Sequence, residues 1–230
     1  MKTAILIDGA FYRKQANQLF GKKTAIDRAN ELFKYCMMHL EGEKKTRELY
    51  RIFYYDCPPL DKNIYHPLLK EDVNFEQSEL YSWMNKFLKE LTKKRKFALR
   101  LGRLSEQASY TLRPQVVKDL FDKKITLEDL EEDNFMLDIK QKGVDMRIGL
   151  DISSMAFKKQ VDQIILIAGD SDFVPAAKQA RREGIDFILD PMRNHINPDL
   201  NEHVDGIESH YRDLQKEDRD RKAKKELPKE

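Results

Sequence analysis

Three short apolar runs in this chain end in aspartate. Ile164-Ile165-Leu166-Ile167-Ala168 carries no polar residue and leads into Gly169-Asp170-Ser171-Asp172. Thr3-Ala4-Ile5-Leu6-Ile7 leads into Asp8-Gly9, and the aromatic run Leu49–Tyr55 into Asp56. Carboxylates held close together repel one another and raise each other's pKa, and a divalent cation relieves that repulsion. Hard oxygen ligands select Mg²⁺ or Mn²⁺ over zinc. Each carboxylate also has a plainer reading, because aspartate caps helices by accepting a backbone N–H bond. That reading suits Asp172, ahead of Phe173-Val174-Pro175. It suits Asp170 less, directly after Gly169, and Asp8 has no evident capping pattern downstream. Asp170 is therefore the residue expected to do metal chemistry, with Asp172 both cap and ligand. The five histidines show neither HxH nor HExxH spacing and read as surface residues. There is no GxSxG, no phosphate loop and no GxGxxG.

The elements that must hold these residues alternate. Uninterrupted apolar runs suit strands buried on both faces, as in a parallel sheet. Helical spacing follows the first run from Phe11 to Leu19, and again in Ile26, Ala29, Leu32, Phe33, Cys36, Met37 and Leu40, with Gly42 as a stop signal. Leu80, Met84, Phe87, Leu88 and Leu91 predict another helix, closed by the solvated Lys93–Lys96 cluster. Phe97 to Leu104 alternates as one strand, while Leu60 to Phe75 has no clear period and reads as loop. A helix over 143–159 carries Asp145 in its first turn. Phe173, Ala176, Ala177 and Ala180 begin the last strong helix, which Gly184 caps. Ile185 to Leu189 is the last strand, ending at Asp190-Pro191. The pattern predicts an α/β, doubly wound three-layer sandwich with a mainly parallel central sheet. Crossovers are right-handed, so the strand ends at Asp8, Asp56 and Asp170 share one rim, which Asp145 could also face.

With 230 residues, the chain reads as one domain over 1–211 with an insertion around 105–141, followed by a charged tail, 212–230, read as disordered or as a frayed helix. The 42 basic and 40 acidic residues nearly cancel, so any nucleic-acid surface must come from local segregation of charge. Cys36 and Cys57 lack ligand spacing and read as reduced thiols. No run approaches transmembrane length and Asp8 breaks the N-terminal apolar stretch, so the expectation is a cytoplasmic protein. Tyr54-Tyr55 reads as strand packing.

Ile7-Asp8-Gly9-Ala10, Tyr54-Tyr55-Asp56, Lys142-Gly143-Val144-Asp145 and Ala168-Gly169-Asp170-Ser171-Asp172-Phe173 occur in that order. Together they resemble the NYN domain of the LabA-like group, a branch of the PIN-like nuclease superfamily, over about residues 2–211. The resemblance departs at Gly9-Ala10-Phe11, where related NYN domains often carry asparagine or serine after the first aspartate. It implies a Mg²⁺- or Mn²⁺-dependent ribonuclease in which Asp8, Asp145 and Asp170 hold metal, and Asp172 does so directly or through water. Lys142 or Arg147 would offset phosphate charge, and Ser171 could bind a phosphate or the metal's water. Asp56 matches a recurring feature of the group and is an accessory candidate. RNA is the implied partner and DNA stays open. The competing readings are an RNA-binding regulatory module with little turnover, and a phosphatase acting on small phosphoesters.

Overall fold

The computed structural model describes residues 1–41 and 47–226; Gly42, the expected helix stop, lies outside them. The chain opens with strand β1 (Lys2–Asp8), then helices α1 (Gly9–Phe20) and α2 (Ala25–Met38). Strand β2 (Glu48–Asp56) is followed by the hairpin strands β3 (Asn63–His66) and β4 (Glu71–Asn74), helix α3 (Glu79–Thr92) and strand β5 (Phe97–Leu101). Next come the short strands β6 (Arg103–Leu104) and β7 (Ser109–Leu112), helix α4 (Pro114–Phe121), and strands β8 (Phe135–Asp138) and β9 (Gln141–Lys142). The remainder is helix α5 (Val144–Phe157), strand β10 (Gln163–Ile167), helix α6 (Val174–Arg182), strand β11 (Asp186–Asp190), helix α7 (Pro198–Glu202), strand β12 (Gly206–Ile207) and helix α8 (Tyr211–Glu226).

Six strands form the central sheet in the order β5-β2-β1-β10-β11-β12, every neighbouring pair parallel. Counted by position in the chain this is 3-2-1-4-5-6, so the winding reverses between β1 and β10. Period-two alternation splits each central strand between two cores. Ala4 and Leu6 of β1 and Ile164 and Leu166 of β10 face one core, with residues of α5 and α6. Ile5, Ile7, Ile165 and Ile167 face the other, with residues of α1, α2 and α3 and with Leu214 of α8. Both faces are covered, which is why these runs carry no polar residue. At about 1.5–3 kcal/mol for each fully buried aliphatic side chain, these two strands anchor the fold. Helices leaving β1 and β10 go to opposite faces, and a crevice opens outside the carboxyl ends of the two strands.

Several expectations change. The stretch read as loop before Phe75 contains the antiparallel β3–β4 hairpin, with Ile64 and His66 turned inward. The single strand expected over 97–104 breaks at Gly102, where Lys142 O would lie 2.7 Å from an added Cβ; Arg103-Leu104 pairs with Gln141-Lys142 instead. On α2, Ile26 is exposed, whereas Arg28 and Glu31 are buried as an ion pair. The segment within 105–141 is a β7–β8 ribbon carrying α4 at its turn. Of the two readings of the tail, a frayed helix or disorder, the chain beyond Arg212 takes the helical one through Glu226, and the first turns of α8 are docked: Leu214 is buried, Gln215 donates to Leu19 O at 2.7 Å and Lys23 pairs with Asp218 at 2.8 Å.

Candidate functional site

The crevice between β1 and β10 is where two of the expected residues lie. Asp8 closes β1 and also caps α1, accepting the Phe11 N–H at 3.2 Å, a cap that the sequence reading did not find. After β10 the chain makes one 3₁₀ turn, Ser171–Phe173, before α6 begins at Val174. That turn moves the cap two residues earlier than expected: Asp170 accepts the Asp172 N–H at 3.1 Å, and the exposed Asp172 caps nothing. Both exits need glycine. A Cβ on Gly9 would lie 2.5 Å from Asp56 Oδ2 and 2.6 Å from Tyr54 Cζ. One on Gly169 would overlap the Phe11 ring and sit 2.7 Å from Asn194 Nδ2.

Asp145 stands in the first turn of α5, whose N-cap Gly143 has a φ of 77°, a left-handed conformation that favours glycine. Burial raises the Asp8 pKa against the opposing Phe11 hydrogen bond, and the Asp145 charge raises it further. Asp145 is itself raised, by burial first and then by the charges of Asp170 and Asp172. Asp145 is thus the electrostatic link between Asp8 and the Asp170–Asp172 turn. Among the described residues none of the four forms an ion pair with a basic side chain. Oxygen donors without an ion-pair partner fit a hard divalent cation. The carboxylates are neighbours through their fields without meeting at one point. No three of them place ligand oxygens within 4.8 Å of one another, as like charges without a counterion are expected to spread.

The crevice is an open cleft of 560 Å³ whose lining includes Asp8, Phe11, Lys14, Asp170, Ser171 and Asn194. Ser171 is half-buried there. Lys14 and Asn194, with His195 beside it, escaped the sequence reading, since no local motif marks them. Asn194 arrives through the loop after β11, where Met192 and Arg193 have φ values of 44° and 73°. Two consecutive left-handed residues other than glycine cost energy and persist only where surroundings impose them. Here Asp190 accepts the Met192 N–H at 2.8 Å, and the Asn194 N–H donates to Pro191 O at 2.7 Å. Lys142 and Arg147 do not line this crevice: Lys142 is exposed on β9, and the Arg147 guanidinium donates back to Gly143 O at 2.9 Å. Asp145 and Asp172 border a neighbouring groove between α5 and α6, beside the exposed Met146 and Leu150.

The flanking strand ends are different. Asp56 is 1% exposed and ion-paired with Arg13, and it accepts from Tyr54 Oη at 2.9 Å, Cys57 N at 2.8 Å and Gln141 Nε2 at 3.3 Å. Asp190, fully buried, accepts from Tyr35 Oη at 2.5 Å and Ser209 Oγ at 2.5 Å, and faces His39 Nε2 at 2.9 Å. His39 is fully buried and His66 packs against Tyr110, so the histidines are not all surface residues. Tyr54 and Tyr55 are buried in the sheet. Cys36 and Cys57 are free thiols, both buried.

Among the described residues no helix is long and apolar enough to cross a membrane. No curated protein matches the chain significantly. A similar solved structure is a protein of unknown function, VPA0982 from Vibrio parahaemolyticus RIMD 2210633, 15% identical over 90% of each chain with a TM-score of 0.46. The parallel sheet, its crevice between β1 and β10 and the acidic groups beside it accord with a PIN-like fold, in a superfamily of nucleases that use divalent metals. The family model for the NYN domain matches residues 2–206, nearly the whole chain, and the protein belongs to the NYN domain family within the PIN-like nucleases.

Proposed function

We propose that this protein is a Mg²⁺- or Mn²⁺-dependent ribonuclease whose site is the crevice between β1 and β10. One observation carries the reading: of the aspartates at the sheet's carboxyl edge, those beside this crevice lack a cationic partner, whereas Asp56 is ion-paired and Asp190 is saturated with hydrogen bonds. Asp8, Asp145 and Asp170 would hold the metal, with Asp172 a direct or water-mediated ligand. A bound cation at such a site supplies a nucleophilic water and offsets charge on the scissile phosphate. The α1 and Ser171–Phe173 turns fix Asp8 and Asp170 through their caps, so both carboxylates are oriented before a substrate arrives. Lys14, exposed on α1, is placed to attract a phosphate backbone, and the polar Ser171 and Asn194 can hydrogen-bond it. RNA as the substrate and the LabA-like relationship rest on the motif residues quoted above.

The second reading, a nucleic-acid-binding module with little turnover, draws on the spread of the carboxylates. A single assay separates the two. Wild type and Asp170→Asn are incubated with labelled single-stranded RNA and DNA, with Mn²⁺ or with EDTA. Metal-dependent RNA cleavage, lost in the variant, is the expected result. Binding without cleavage in every arm selects the second reading, and preferential cutting of DNA corrects the substrate.

A further inference from the structure

A second cluster lies at the carboxyl end of α2, where the segment between β12 and α8 passes. We propose that His39 Nδ1, Glu208 Oε1 and His210 Nε2 bind a zinc-class divalent cation that clamps the end of α2 to the segment leading into α8. One ligand atom from each of these three residues lies within 4.8 Å of the other two, the one such triad among the described residues. Glu208 Oε1 is 3.1 Å from His210 Nε2 and 3.9 Å from His39 Nδ1. Tetrahedral bonds of about 2.0–2.1 Å separate neighbouring ligand atoms by about 3.3 Å. The observed spacings straddle that value, so small side-chain shifts close the site.

The surroundings point the same way. Ligating histidines characteristically hold a carboxylate or carbonyl with the other ring nitrogen. His39 Nε2 faces Asp190 at 2.9 Å and His210 Nδ1 faces Asp213 at 3.0 Å, leaving Nδ1 and Nε2, respectively, toward Glu208. His39 is completely buried, yet its Nδ1 has no hydrogen-bond partner among the described residues. At 3.9 Å from Glu208 it is too far to donate, and without a proton it presents a lone pair to a carboxylate. A cation between them resolves either case. Charge agrees as well. Asp190, Glu208 and Asp213 bring three carboxylates to the cluster against the single guanidinium of Arg47. The Arg47 guanidinium grips Glu208 through two bonds of 2.8 Å and so holds the carboxylate in place beside the two imidazoles. Two imidazole nitrogens with one carboxylate suit zinc over Mg²⁺ or Mn²⁺. His210 and Glu208 are partly exposed, which gives an ion a route in.

The test uses untagged full-length protein in excess Mg²⁺, to occupy oxygen-only sites. Zn²⁺ is titrated by calorimetry and Co²⁺ by visible absorption. Wild type should bind one equivalent of Zn²⁺, show the intense bands of low-coordinate Co²⁺, and melt at higher temperature with Zn²⁺. His210→Ala and Glu208→Gln should each weaken Zn²⁺ binding at least tenfold and abolish the bands and the thermal shift. Unchanged affinity in these variants, or no Zn²⁺ binding by wild type, overturns the proposal. A measurement on wild type alone guards against misfolded variants: Zn²⁺ should protect His210 from diethyl pyrocarbonate, and unprotected modification at saturating Zn²⁺ also overturns it.

Discussion

Asp56 and Asp8 end adjacent strands and have opposite fates. Asp56 is sealed under Gln141 and neutralised by Arg13, so its charge is spent on holding β2 and α1 together. Asp8 opens on the crevice with Phe11 N–H as its hydrogen bond and Asp145 as a repelling neighbour. The same contrast recurs across the sheet between Asp190, saturated by its donors, and Asp170, exposed beyond β10. An aspartate at a strand end is therefore not in itself a functional signal. What marks the candidate site is an aspartate that the fold leaves without a cation at the place where the winding reverses.

This contrast predicts that the two classes respond differently to the loss of charge. Asp190→Ala should show the largest effect, a loss of about 3–5 kcal/mol in denaturant unfolding, because the His39, Tyr35 and Ser209 groups are left facing a buried void. A loss below about 1 kcal/mol would erase the distinction. Asp8→Asn should do the reverse. On the proposed function, cleavage of RNA should fall by about 10²-fold or more with the loss of a metal-holding carboxylate, while asparagine keeps the α1 cap and the fold. A cooperative collapse of structure in this variant would move Asp8 into the class of Asp56.

The expected dependence on pH is smaller. The folded protein holds the protons of Asp8 and Asp145 more tightly than the unfolded chain, for which 3.8 is the reference value. Stability from this source is complete below about pH 3.8 and is lost as pH rises through the raised folded values, the folded state binding more protons across that window. Asp8→Asn should therefore raise the melting temperature relative to wild type at pH 7 and give no gain at pH 3. A gain of equal size at both pH values would show that charge is not its cause.

The central strands were legible because burial on both faces removes every polar residue from Ile164–Ala168 and nearly all from Thr3–Ile7, a pattern without a bland alternative. Asp8, Asp145 and Asp170 could be named from their motifs, though not how closely their side chains approach. The caps were misassigned at Asp172 because the Ser171–Phe173 turn is 3₁₀, which periodicity does not reveal over three residues. The β3–β4 hairpin was missed because its inward residues include His66, a polar residue in an apolar position. The docking of α8 was hidden because it rests largely on one leucine and a few ion pairs. His39 and His210 lie beyond the reach of any local spacing rule; only the return of the chain through β12 unites them.

Whether the crevice between β1 and β10 holds the proposed metal can be read from anomalous diffraction by a crystal soaked in Mn²⁺. A peak is expected within about 2.0–2.3 Å of carboxylate oxygens of Asp8 and Asp170, with Asp145 turned toward it. A crevice without such a peak at saturating Mn²⁺, its aspartates bonded only to protein and solvent, would contradict the proposed site.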